Sequence, residues 1–201
     1  MAAIWTLLGT AVAYGGFITR IDARIAAWID AQVDGTLVTA AQAATIAGHA
    51  SVSVGITVAI AAVAWRQTRR WEVAYLAIVA FVGSMAVTAV VKLVVARARP
   101  GAGGMEASLT AFPSGHSVRI AVVTGLLIWL IAMCTERLRT QLLLGGLLVA
   151  LGLLVAASRV VLLVHWSSDV IGGLALGAIW LAATLSFGNR WLSDRPSPDA
   201  P

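Results

Sequence analysis

The chain has 201 residues, 60% of them hydrophobic and only 11% charged, with a formal net charge of +5, and its mean hydropathy is +0.91. That much apolar surface excludes a soluble globule and a disordered chain, while a single cysteine, Cys134, excludes a disulfide framework and a zinc–thiolate centre. The basic residues form no dense run and no aromatic-interleaved stripe, so nucleic acid is not an expected partner.

Six apolar stretches follow one another, at residues 2–18, 43–65, 73–95, 118–134, 141–164 and 170–187. Each is close to the roughly 20 residues that a bilayer-spanning helix needs. The pattern predicts an all-α integral membrane bundle of six transmembrane helices. No Lys or Arg precedes the first stretch, which therefore reads as a span and not as a signal peptide. After it, Ile21, Ile25, Ile29 and Val33 recur every four residues, interleaved with Asp22, Arg24, Asp30 and Asp34. That spacing predicts an amphipathic helix lying in the membrane interface. It reads as a surface connector, and its carboxylates receive no chemistry.

Arg66, Arg69 and Arg70, then Arg137 and Arg139, then Arg190 and Arg195 all fall on one side of a six-span chain. The positive-inside rule makes that side cytoplasmic and puts both termini there. Gly173 and Gly177 have the spacing that lets helices approach closely in lipid. Residues 1–192 read as one membrane domain, and 193–201 as a loose polar tail. His49, inside the second stretch, reads as an interhelical hydrogen-bond partner. Trp5, Trp28, Trp65, Trp71 and Trp191 suit an aromatic belt.

Three segments carry chemistry. The first runs from Lys92, the only lysine, through Arg97 and Arg99 to Pro100. Lys92 and Arg99 are seven apart, two turns of helix, which would put them on one face before Pro100 ends the helix, with Arg97 elsewhere. A buried cation in a membrane is costly enough to suggest a pocket, although snorkelling at a span end explains it equally well. The second segment is Pro113-Ser114-Gly115-His116. Ser114 can cap the next helix and Gly115 allows close backbone approach, which together make an anion site beside an imidazole. The third runs from Ser158 and Arg159 to His165 and Asp169, the last two spaced to meet on one helical face. A carboxylate on one ring nitrogen would leave the other free to attack.

In a six-span chain all three segments share one membrane face. Several cations, a helix N-terminus and two histidines there specify a phosphate dianion and displacement at phosphorus. The carboxylates are too few and too scattered for a two-metal centre, so neither metal nor cofactor is expected.

These segments resemble the three motifs of the type 2 phosphatidic acid phosphatase superfamily: KxxxxxxRP over residues 92–100, PSGH over 113–116 and SRxxxxxHxxxD over 158–169, with every specified position filled. The resemblance implies that His165 attacks phosphorus and forms a phosphohistidine, with Asp169 orienting it. It implies that Lys92, Arg99 and Arg159 hold the phosphate oxygens, assisted by Ser114 and the Gly115 amide. His116 would protonate the leaving oxygen, and water would release phosphate without metal. The substrate would be a lipid phosphate or pyrophosphate, met at the extracytoplasmic face. His165 would then act neutral and His116 protonated, giving a bell-shaped pH profile.

Arg119, one turn beyond His116, suggests a second phosphate site, and with it a polyprenyl pyrophosphate such as undecaprenyl pyrophosphate. Phosphatidylglycerol phosphate and phosphatidate are the alternatives. A transporter, or a lipid-phosphate binder without catalysis, is the reading of a different class. Neither the tail of the lipid, nor the oligomeric state, nor a role for Glu106 is legible in the sequence.

Overall fold

The computed structural model describes residues 16–100 and 111–193. Among these the chain forms helices α1 (Gly16–Gln32), α2 (Gly35–Thr45), α3 (Ala50–Thr68), α4 (Trp71–Val95), α5 (Gly115–Cys134), α6 (Leu138–Val161) and α7 (Ser167–Ser193), with a 3-10 turn at Ile46–Gly48 and no strand. The last five, α3 to α7, are long and apolar enough to cross a membrane. The expected first span at 2–18 falls almost wholly outside the described residues. So do Gly101, Gly103, Gly104 and Glu106, and all but the first residue of the tail.

Several boundaries differ from the hydropathy reading, and each has a local cause. The second span starts at Ala50 and not at 43, because residues 43–48 finish α2 and turn through the 3-10 segment. His49 is therefore not inside a span: it is the N-cap residue of α3, in extended backbone. The interfacial helix runs over Gly16–Gln32, and a second helix, α2, follows, capped by Asp34, whose Oδ1 accepts the Leu37 N–H at 2.9 Å. The third-span helix ends at Val95, well before Pro100. Ala96 takes the left-handed conformation (φ 44°) and its N–H donates to the Lys92 carbonyl at 3.0 Å. Arg97 and Arg99 thus lie beyond the helix, and the two-turn argument that placed Lys92 and Arg99 on one helical face does not apply.

Helix α5 is the centre of the bundle and packs against α3, α4, α6 and α7. Its Val122, Val123 and Leu126 join Ile60 and Ala61 of α3, Ala77, Ala80 and Phe81 of α4, and Leu181 of α7 in the main core. Lipid tails are as apolar as leucine, so close packing must hold these helices together. Glycines permit it: a Cβ on Gly173 would stand 2.7 Å from the Ser114 carbonyl oxygen, and one on Gly177 2.7 Å from that of Val118. Helix α6, in contrast, exposes Leu142, Leu143, Leu147, Leu151 and Leu154, the face expected against lipid. With α1 and α2, the N-terminal ends of α3, α5 and α7 and the C-terminal ends of α4 and α6 gather at one end of the bundle.

Candidate active site

His165 precedes α7, in the turn that leaves α6. Leu163 adopts the left-handed conformation (φ 52°), and the N–H groups of Val164 and His165 both donate to the Arg159 carbonyl. The turn buries the ring, which is 3% exposed. Its Nδ1 faces Asp169 Oδ2 at 3.5 Å, an ion-pair distance longer than a hydrogen bond. Burial pushes the His165 pKa below the ordinary histidine range; Asp169 opposes this, while Arg99 and Lys92 add to it. The ring is therefore neutral at physiological pH.

Asp169 is itself held on both oxygens. Oδ1 accepts from Arg97 Nη1 at 2.6 Å, and Oδ2 accepts the Trp166 N–H at 2.9 Å. Arg97 reaches on to Asp22 Oδ2 at 2.7 Å and to Ser168 Oγ at 2.8 Å. Asp22 also accepts from Ser167 Oγ at 2.6 Å and from the Ser168 N–H at 3.0 Å. Asp22, Arg97 and Asp169 are all buried. Burial alone would raise the Asp22 pKa; the bonds from Arg97, Ser167 and Ser168 outweigh it and leave the carboxyl below the usual range. Two expectations are corrected here. Arg97 does not face elsewhere but bridges two carboxylates, and Asp22 is not a surface charge of a connector. Trp166 Nε1 donates to the Ala98 carbonyl at 2.9 Å, and Arg97 lies over its ring, 5.5 Å from the centroid.

His116 lies in the first turn of α5. Ser114 caps that helix, its Oγ accepting the Ser117 N–H at 3.5 Å. The Ser114 N–H donates to the Asp169 carbonyl at 3.0 Å and so ties the segment to the His165 side. His116 Nδ1 stands 3.2 Å from Arg119 Nη2. The same guanidinium donates through Nε and Nη2 to the Gly48 carbonyl, at 3.2 and 3.1 Å. His49 meets the His116 ring edge-on, with centroids 5.6 Å apart. Gly48 closes the cradle, since a Cβ there would lie 2.8 Å from His116 Cδ2.

The cations surround these rings. Arg159, Arg119, His49 and His165 all stand close enough to His116 to act on it electrostatically, as Arg99, Asp169 and Arg119 do on Lys92. Arg159 Nη1 donates to Thr45 Oγ1 at 2.7 Å. The Nε atoms of Arg99 and Arg159 and His116 Nε2 are buried without a partner among the described residues. The structure thus brings Lys92, Arg99, Ser114, Gly115, His116, Arg119, Arg159, His165 and Asp169 to one end of the bundle. Reading the sequence missed Asp22, Arg97, Thr45, Gly48 and His49. Arg97 carried the only available signal, a second cation within two residues of Arg99.

Two imidazoles and several guanidiniums around a helix N-terminus, set at the end of a bundle of apolar helices, are the equipment of a membrane enzyme acting on an anion. Residues 71–193, well over half of the chain, match the PAP2 superfamily model. The chain belongs to that superfamily and is a membrane phosphatase of the PAP2 type. The crystal structure of a transmembrane PAP2-type phosphatidylglycerolphosphate phosphatase from Bacillus subtilis has the same fold, with a TM-score of 0.82 over 96% of each chain at 22% identity. A sequence search of curated proteins finds no match.

Proposed function

We propose that this protein hydrolyses a lipid phosphate at the extracytoplasmic face of the cell membrane, through a phosphohistidine on His165 and without a metal. The neutral, buried His165 beside a carboxylate held by Arg97 carries this reading. His165 Nδ1 faces Asp169, so Nε2 attacks phosphorus, and the carboxylate balances the charge that the ring gains as the bond forms. Lys92, Arg99 and Arg159, with the Ser114 cap and the Gly115 amide, hold the phosphate oxygens. His116 delivers a proton to the leaving oxygen and recovers it from the water that releases phosphate.

For the substrate, three cations suit one terminal phosphate. A phosphomonoester is the first choice, supported by the phosphatidylglycerolphosphate that the structural neighbour hydrolyses. A polyprenyl pyrophosphate is the second, supported by Arg119 beside the site. Phosphate release by the purified protein in detergent, from phosphatidylglycerol phosphate, phosphatidate and undecaprenyl pyrophosphate with and without EDTA, tests the proposal. The expected result is EDTA-insensitive release that His165→Ala removes. Release undiminished in His165→Ala, or transport of a labelled lipid without release, overturns it.

A further inference from the structure

The two histidines are held by opposite kinds of group, and this decides what His116 can do. A guanidinium has only N–H donors and cannot give up a proton in a protein. At 3.2 Å from Arg119 Nη2, His116 Nδ1 must therefore accept. The ring proton is then on Nε2, the nitrogen buried without a partner among the described residues. Arg119 is fixed for this task by its two bonds to the Gly48 carbonyl. Gly48 in turn leaves room for the ring, where a Cβ would stand 2.8 Å from His116 Cδ2 and 2.9 Å from Val155 Cγ1. The charged and titratable groups facing His116 are Arg119 on its own helix, Arg159 from α6, His49 at the start of α3 and His165 before α7. Among the described residues no carboxylate faces the ring.

We infer that Arg119, anchored on Gly48, is a positioning residue that holds His116 as the neutral Nε2–H tautomer, so that the proton passes to the leaving group from an imidazole and not from an imidazolium. A neutral histidine donor of this kind is an established catalytic device. This rests on the proposed reaction. As His165 Nε2 bonds to phosphorus, the bond from phosphorus to the leaving oxygen breaks and its electron pair stays on that oxygen. The oxygen takes the His116 Nε2 proton and departs as an alcohol. The electron pair left on the ring is stabilised at Nδ1 by Arg119. Water then attacks the phosphohistidine and gives a proton to His116 Nε2, the bond from phosphorus to His165 Nε2 breaks with its electron pair returning to that nitrogen, and phosphate leaves.

Such a device serves a strongly basic leaving oxygen and little else. The test compares diacylglycerol phosphate, which expels an alkoxide, with a dodecyl-substituted nitrophenyl phosphate, which expels a stable phenoxide. Arg119→Ala should lower turnover of the first by about 10²-fold, the lower end of what general acid catalysis contributes, and of the second by less than about threefold. Arg119→Lys, which keeps an N–H donor, should recover part of the loss. In the wild type, kcat/KM for the diacylglycerol phosphate should show no alkaline limb in the histidine range, and Arg119→Gln should introduce one. Equal losses on both substrates overturn the assignment, as does an alkaline limb shared by wild type and Arg119→Gln. A loss confined to undecaprenyl pyrophosphate also overturns it and makes Arg119 a second-phosphate ligand. If His165→Ala keeps full activity on both substrates, it is the proposed reaction that fails, and not the role of Arg119.

Discussion

The His165 side and the His116 side of this site are built on opposite electrostatics. His165 faces a carboxylate that is locked by a buried guanidinium, which is locked in turn by a second carboxylate, a chain from Asp169 through Arg97 to Asp22. His116 faces a guanidinium locked by a backbone carbonyl. In the first, the carboxylate offsets the positive charge that a nucleophilic ring would gain on bonding to phosphorus, against the burial that keeps it neutral beforehand. The second leaves one nitrogen an acceptor and the other a donor, as a proton carrier needs. In the proposed reaction the same side chain takes two roles because its neighbours differ in sign.

Removing the proposed nucleophile tests the first half most severely. His165→Ala should lower turnover by at least about 10⁴-fold and abolish the acid-labile phosphoenzyme that rapid quench of the wild type with labelled lipid should trap. Breaking the chain behind it should cost less. Arg97→Gln leaves two buried carboxylates unbalanced, a change worth about 3–5 kcal/mol. Turnover of alkoxide and nitrophenoxide substrates should fall by the same factor, with a lower melting temperature in detergent. A loss confined to the alkoxide substrate would show that the two sides are not separate.

Gly48→Ala should act on the other side. Overpacking costs about 1–3 kcal/mol, and displacement of the His116 ring should slow the alkoxide substrate about tenfold while sparing the nitrophenoxide one. Equal slowing of both would mean that the turn supports the whole bundle. The smallest effect concerns pH. The His165 pKa is lowered, so the acid limb of kcat/KM should lie below the ordinary histidine value of about 6.5. Asp22 is also lowered: its contribution to stability is present above the ordinary carboxylate value and lost as pH falls through its folded one. Melting temperature should therefore drop at acid pH in the wild type and change less in Asp22→Asn. An acid limb at or above 6.5 would place His165 in water, against its burial.

Hydropathy alone determined that this is a helical membrane protein, because a bilayer imposes one length and one polarity on every span. The spacing within three short segments also marked His116, His165, Asp169 and most of the cations. Only the tertiary structure decided which charges pair. Asp22 and Arg97 are 75 residues apart, and Arg119 and Gly48 are 71 apart. No local periodicity distinguishes a carboxylate of an interfacial helix that faces water from one that turns under the bundle. The end of α4 at Val95 was equally hidden, because a left-handed alanine carries no mark in the sequence. Local patterns record what each segment needs from its solvent, whereas the pairing of buried charges depends on which segments the fold sets side by side.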